Sequence, residues 1–78
     1  MKAREVVKEI SVKKGITNAE LAHRLGLTIA ACWERIFAPR KPKDMSTKAL
    51  VPTLRAMDYK LVAVPYDSKV PSGGYVID

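Results

Sequence analysis

The 78-residue chain is poor in the residues that build disulfide frameworks and metal centres. It has one cysteine, Cys32, and one histidine, His23. One cysteine cannot form a disulfide within the chain, and one cysteine with one histidine is too few for an ordinary zinc site. The apolar runs also fall far short of the roughly 18 residues that a membrane-spanning helix needs. We therefore expect no structural metal, no cofactor and no membrane partner.

The sequence also lacks a pattern that would support an enzyme. Cys32 would need a neighbouring base to act as a nucleophile, and nothing in the sequence supplies one. The Ser-Gly-Gly stretch at residues 72–74 is not followed by a predicted helix, so it indicates a turn and not a phosphate-binding loop. We expect no catalytic residues and no small-molecule ligand. The N-terminal segment carries Lys2 and Arg4 and lacks the apolar stretch of a secretory signal, so we expect a cytoplasmic protein.

Positive charge, by contrast, is in excess and unevenly placed. The chain has 14 lysines and arginines against 8 aspartates and glutamates, for a net charge of +6. Residues 1–43 hold ten of the basic residues and four of the acidic ones, whereas residues 44–78 hold four of each. A basic half joined to a neutral half favours a polyanion-binding module that carries an assembly element. The alternative is a solvated basic surface that keeps a small protein in solution.

Hydrophobic spacing and capping residues predict two helices in the first third of the chain. Residues 3–14 repeat apolar side chains at the i, i+3, i+4, i+7 spacing of one helix face, and Gly15 supplies a stop. Thr17 and Glu20 have the spacing of a capping box, which predicts the start of a second helix. Gly26 ends that helix after about two turns.

Two more helices follow. Thr28 is positioned to cap a third helix that runs to about Phe37. Two prolines prevent a continuous helix over residues 38–44. Ser46 is positioned to cap a fourth helix, in which Pro52 predicts either a kink or a late start.

The segment at residues 18–28 resembles the helix-turn-helix of the Cro/repressor (Xre-like) family of phage and bacterial regulators. Ala22 takes the place of the small residue that lets the second helix cross closely, Gly26 takes the turn, and Leu27 takes the apolar place after it. The resemblance covers roughly residues 3–59. It implies a mainly α, lambda-repressor-like domain of four helices.

The resemblance further implies a DNA-binding transcriptional regulator, a repressor of phage or mobile-element type that occupies promoter DNA with its third helix in the major groove. Its partner would be double-stranded DNA. The family's helix-turn-helix pattern assigns most of the base-facing positions, and helical periodicity adds Arg35 as an exposed cation. The full set is Thr28, Ile29, Ala30, Trp33, Glu34 and Arg35. The phosphate-contact candidates are the nearby basic residues and one helix-start amide, namely Lys13, Lys14, Asn18, Arg40, Lys41 and Lys43.

A different function remains open because of the side chains on the third helix. Base edges are read best by Arg, Lys, Asn and Gln, and none of these stands at the template's base-facing positions. Helical periodicity groups Ile29, Trp33, Ile36 and Phe37 on one broad side, which favours at least partial packing of Trp33. The alternative is a protein-binding helix-turn-helix module that inhibits or regulates a partner through an apolar surface on this helix.

The chain beyond residue 59 changes character, which divides it into a helix-turn-helix domain at residues 1–59 and a tail at residues 60–78. Apolar and β-branched side chains fill residues 61–64, and an aromatic and two β-branched side chains fill residues 75–77. Turn residues lie between the two stretches. They predict a short β-hairpin or a dimerising strand. An unpaired apolar strand edge favours a second subunit, so we expect a homodimer through residues 60–78, with a monomeric hairpin as the alternative.

Overall fold

The computed structural model describes residues 1–37 and 44–78, and the described part is mainly helical. Helices α2 and α3 follow α1 closely, and α3 passes without a break into a π-helical turn. The elements in chain order are α1 (Ala3–Lys14), α2 (Asn18–Leu25), α3 (Ile29–Cys32), the π turn (Trp33–Phe37) and α4 (Thr47–Ala56). The prediction of four helices is confirmed.

One hydrophobic core joins these elements. Helix α2 packs against α3 and α4, while α1 packs against the π turn and α4. The predicted apolar face of α1 is buried, and Cys32 at the end of α3 is buried as well. The buried apolar residues are Ala3, Val6, Val7, Ile10, Ile16, Leu21, Ala22, Cys32, Ile36, Leu50, Leu54 and Met57.

The predicted helix boundaries are set by local hydrogen bonds. The Glu20 N–H donates to the Thr17 hydroxyl at the start of α2 (3.1 Å), and the Ala31 N–H donates to the Thr28 hydroxyl at the start of α3 (3.1 Å). Gly26 ends α2 in the left-handed region with φ 68°. The second half of the predicted capping box is not formed, because the Glu20 carboxylate accepts from Arg24 Nη2 instead (2.8 Å).

Helix α4 begins where its cap predicts, at Thr47, with the Ala49 N–H donating to the Ser46 hydroxyl (3.3 Å). Pro52 lies inside the helix, so the predicted late start is wrong. The ring is exposed, which places the missing backbone N–H on the solvent side, where water can satisfy the affected carbonyl. The Thr53 hydroxyl donates to the Ala49 carbonyl one turn back (2.8 Å).

A residue far away in the sequence caps the N-terminus of α1. The Asp44 carboxylate accepts from the backbone N–H groups of Ala3 (2.6 Å) and Arg4 (2.9 Å), so it caps the N-terminus of α1 from across the fold. Partial desolvation raises the pKa of the Asp44 carboxyl. The backbone donors and the Arg4 charge outweigh that effect, so the pKa of Asp44 lies below its ordinary value. This carboxylate is therefore ionised where it meets the positive end of the helix dipole.

The tail at residues 60–78 contains no strand, so the predicted β-hairpin is wrong. Residues 61–64 have no partner strand among the described residues of this chain. A strand forms only when a neighbouring backbone pairs with it, and a lone hairpin is marginal in water. Two turns shape the tail instead, with the Ser68 N–H donating to the Pro65 carbonyl (3.0 Å) and the Gly74 N–H to the Pro71 carbonyl (2.9 Å).

The end of the tail is held against the start of the chain. The Met1 ammonium donates to the Val76 carbonyl (3.0 Å) and to the Asp78 carboxylate (2.7 Å), and the Asp78 N–H donates back to the Met1 carbonyl (3.0 Å). The Tyr75 ring lies 6.5 Å from the Tyr59 ring, next to the core. The other residues from 60 to 78 are exposed. Over the described ranges no helix is both long and apolar enough to cross a membrane.

Candidate nucleic-acid interface

Helices α2 and α3 form a tight unit around the turn at Gly26. The Leu27 N–H donates to the Ala22 carbonyl (2.9 Å), so the chain leaves α2 through a closed backbone turn. Ala22 is only 1% exposed, as expected for a position where helices pack closely. A second link joins the two helix starts, because Asn18 Nδ2 donates to the Ile29 carbonyl (3.2 Å). The orientation of α3 is thereby fixed at its first turn.

The continuous stretch formed by α3 and the π turn has a buried side and an apolar exposed side. Cys32 and Ile36 are fully buried, whereas Ile29 is 60% exposed and Trp33 is 48% exposed. The Trp33 and Phe37 rings stack with centroids 5.6 Å apart. The expected partial packing of Trp33 is confirmed, but the grouping of Ile29 with the buried Ile36 is wrong. Periodicity assumed uniform α-helix, and the chain changes to a π turn at Trp33, which alters the angular spacing of the side chains.

The six residues predicted to face bases all lie on this short stretch, and all are exposed. Their capacity for hydrogen bonds is limited. The Thr28 hydroxyl already accepts from the backbone of α3, and Ile29 and Ala30 have no polar side-chain atom. Glu34 and Arg35 bring opposite charges to the turn that follows. The exposed surface of α3 is thus chiefly apolar, with one cation and one anion beside it.

The phosphate-contact candidates fall into three groups. Lys13 is exposed at the end of α1. The Lys14 ammonium makes contacts within the fold. It donates to the Met57 carbonyl (2.8 Å), and it lies 3.5 Å from the Asp58 carboxylate and 5.5 Å from the centre of the Tyr59 ring. The remaining basic candidates lie outside the described residues; these are Arg40, Lys41 and Lys43.

Asn18, a predicted phosphate contact, bridges α2 and α3. Its Nδ2 donates to Ile29, and its Oδ1 is buried without a hydrogen-bond partner in the part of the chain that the structure describes. Nδ2 carries two hydrogens, so one remains for a phosphate oxygen. The structure therefore gives Asn18 a positioning role that the sequence did not suggest.

Two arginines make contacts across the fold that were not identified from the sequence. Arg4 Nε donates to the Arg35 carbonyl (3.2 Å), which places a cation from α1 beside the π turn that continues α3. Arg24 Nη1 donates to the Ala56 carbonyl (2.8 Å) at the end of α4. The partners are 31 and 32 residues apart. No local sequence pattern encodes such contacts.

Cys32 has the environment of a core residue. It is fully buried, and burial raises the pKa of the thiol, with the Arg35 charge opposing that rise. The thiol is therefore protonated at neutral pH. In residues 1–37 and 44–78 no group of His, Cys, Asp and Glu side chains is arranged to hold a metal ion.

Comparison with known families identifies the same part of the chain. Residues 2–38 match a family described as winged helix-turn-helix DNA-binding. The match spans α1, α2, α3 and the π turn, and covers slightly less than half of the chain. No curated protein and no solved structure matches the chain. The match supports a helix-turn-helix regulator, and it ends before α4, so the narrower resemblance to the Cro/repressor family stays a prediction.

Proposed function

We propose that this chain is a DNA-binding transcriptional regulator that places α3 in the major groove of double-stranded DNA. The observation that carries the proposal is the coincidence of the DNA-binding family match with a closed α2–turn–α3 unit whose third helix is exposed. The charge of the molecule supports it, since residues 1–43 carry the whole excess of +6. Cationic side chains on that half are suited to phosphate contacts on both sides of the groove.

The mode of action that we propose is occlusion. With α3 in the major groove, these residues would act by occupying promoter DNA. We propose on this basis a repressor of the phage or mobile-element type that acts in the cytoplasm. The resemblance of residues 18–28 to the Cro/repressor helix-turn-helix supports this finer assignment.

We further propose that the regulator is a homodimer assembled through residues 60–78. The support is an open groove of about 470 Å³ between the tail and the helices, lined by Leu61 and Val62 from the tail and by Ala3 and Leu50 from the helical part. Leu61 and Val62 are 41% and 57% exposed, so the tail presents apolar surface that one chain does not cover. A two-fold dimer would match the symmetry of a palindromic site.

Salt-dependent binding to duplex DNA tests the proposal. Fluorescence anisotropy with a labelled random-sequence duplex should show affinity that falls steeply between about 50 mM and about 200 mM salt, because neutralised phosphates release counterions. Replacing Arg40, Lys41 and Lys43 together with Ala should flatten the slope of log affinity against log salt by about 0.9 for each phosphate that these side chains neutralise. The absence of duplex binding at the lower salt concentration would overturn the proposal.

A charge-matched control separates contact from net charge. Replacing Lys48, Lys60 and Lys69 with Ala removes the same three charges from the neutral half of the chain. We expect this variant to keep the wild-type slope. Equal slopes for both triple variants would mean that residues 40–43 do not contact phosphate.

The exposed apolar side of α3 supports a second candidate function, a protein-binding module. Ile29 and Trp33 would then anchor a partner, because exposed aromatic and aliphatic side chains are typical anchors of protein interfaces. In that case Trp33→Ala would abolish capture of the partner while DNA of any sequence bound weakly and equally. A clear preference among duplex sequences would exclude this candidate.

A further inference from the structure

The exposed surface of α3 is apolar, which limits the groups in a DNA groove that it can contact. Ile29 is 60% exposed at the first position of α3, and Ala30 beside it is also exposed. Trp33 follows one turn later, 48% exposed and held in place by its stacking on Phe37. Neither Ile29 nor Ala30 can donate or accept a hydrogen bond through its side chain, so this surface cannot recognise a guanine or adenine edge by the usual paired hydrogen bonds.

The major groove of ordinary DNA offers one apolar group, the 5-methyl of thymine. We propose that α3 reads DNA through these methyl groups, with Ile29 and Ala30 packing against them and the Trp33 ring closing the contact. The protein then prefers thymine at the contacted positions and distinguishes it from cytosine by the methyl group. This inference rests on the proposed DNA-binding function and specifies the feature of the DNA that is recognised.

The charges around α3 favour DNA as the occupant of this apolar surface. Arg35 is exposed on the turn that continues α3, and Arg4 is bonded to the Arg35 carbonyl from the neighbouring α1. An apolar strip bordered by cations complements a groove whose floor carries methyl groups and whose walls carry phosphates. Glu34 is the exception, and its carboxylate is better placed opposite a cytosine amino group than opposite a phosphate.

Thymine methyls can be removed without changing base pairing, which gives a direct test. The protein is first used to enrich a duplex from a random-sequence pool. The enriched duplex is then resynthesised with deoxyuridine at single thymine positions. We expect affinity to fall about fourfold for each contacted methyl, the ratio that follows from burying one methyl-sized group. At those positions 5-methylcytosine should bind more tightly than cytosine.

A double-mutant cycle assigns the methyl contact to a side chain. The Ile29→Ala variant should show little of the thymine-to-uracil penalty at one or two positions, because its side chain is too short to touch the methyl. Val12→Ala removes an even more exposed aliphatic side chain from α1, where Val12 is 82% exposed, and should keep the full penalty. Circular dichroism melts of both variants establish that they fold like the wild type.

Each outcome supports or overturns methyl readout. If thymine and uracil duplexes bind equally, methyl readout is wrong and the proposed DNA-binding function stands. If the uracil penalty is unchanged in Ile29→Ala, the penalty comes from DNA shape and the assigned contact is wrong. If the pool binds but no sequence is enriched, methyl readout is also wrong. If no duplex binds, both the inference and the proposed function fail, and the protein-binding module takes their place.

Discussion

The helical part of the molecule and its tail both contain many apolar residues, but only the helical part buries them. Among the described residues, every buried apolar side chain lies between Ala3 and Met57. From residue 60 onward no apolar side chain is fully buried; Tyr75 and Ile77 are partly covered, and Val62 and Val64 are 57% and 50% exposed. The helices satisfy their own backbone groups and need only side-chain packing, whereas a strand needs a second backbone. The tail therefore keeps apolar surface that the described residues of this chain do not cover.

The largest effect that we expect comes from a charge placed inside the helical part. Ala22→Glu would put a carboxylate at a position only 1% exposed, without a cationic partner, and should cost several kcal/mol. A domain of this size has about 5 kcal/mol of stability to lose, so the variant should be largely unfolded by circular dichroism at room temperature. Ala19→Glu places the same side chain on the exposed side of α2 and should melt like the wild type.

A folded Ala22→Glu variant with an unchanged melting temperature would contradict the close approach of helices at this position. It would also weaken the assignment of residues 18–28 as a helix-turn-helix, because that assignment depends on a small residue there.

The second effect compares the buried and exposed sides of the stretch formed by α3 and the π turn. Ile36→Ala removes a fully buried side chain and should cost about 2–5 kcal/mol. Ile29→Ala removes a side chain that is 60% exposed, and Ala is the better helix former, so the two effects should nearly cancel. Chemical denaturation of the two variants measures the difference. Equal losses of stability would mean that Ile29 is packed in solution, and the apolar reading surface would not exist.

The parts of the fold that follow from the sequence are the ones encoded over a few residues. Thr17, Thr28 and Ser46 each accept a hydrogen bond from a backbone N–H three residues later, as their positions predict. Gly15 and Gly26 both adopt the left-handed conformation that ends a helix. These signals involve neighbours in the chain, so they can be read without knowing the tertiary structure.

The parts that could not be predicted depend on distant residues. Asp44 caps α1 from 40 residues away or more, and Lys14 closes the end of α4 from 43 residues away. The sequence shows that Lys14 is basic and lies near a helix end, but it does not show that the ammonium bonds the Met57 carbonyl; its phosphate contact stays a prediction. The predicted β-hairpin of the tail is wrong for the same reason, since a strand pattern says nothing about which backbone would pair with it.

A third, smaller effect tests the long-range cap of α1. Asp44→Ala leaves the N–H groups of Ala3 and Arg4 without their acceptor and should cost about 0.5–2 kcal/mol. For a domain of this size each kcal/mol corresponds to about 4–8 °C in melting temperature. Asp44→Asn keeps the size of the side chain and removes its charge, so its melting temperature should fall less.

The same cap predicts a dependence on pH. The folded pKa of Asp44 is lower than its unfolded value of about 3.9, so its contribution is complete above that value and is lost as pH falls through the folded pKa. The stability difference between wild type and Asp44→Asn should therefore shrink as the pH is lowered from about 6 to about 2. The variant comparison isolates Asp44 from Asp78, whose pKa is also lowered, by its hydrogen bond to the Met1 ammonium and that group's charge. A difference independent of pH would contradict the ionised cap.

The smallest effect on folding, and the sharpest test of the tail, comes from Val62→Lys. Val62 is 57% exposed and lines the groove between the tail and the helices. Within a single chain its replacement should change stability by no more than about 0.5 kcal/mol, as for most surface substitutions. If a second copy covers the groove, a lysine there should break the dimer, because a buried unpaired charge is costly.

Val70→Lys is the matched control, since Val70 is 44% exposed in the tail and does not line the groove. Sedimentation equilibrium should give a dimer for the wild type and Val70→Lys, and a monomer for Val62→Lys with an unaltered helical spectrum. A wild type that sediments as a monomer at every concentration would show that the tail is not a dimer interface.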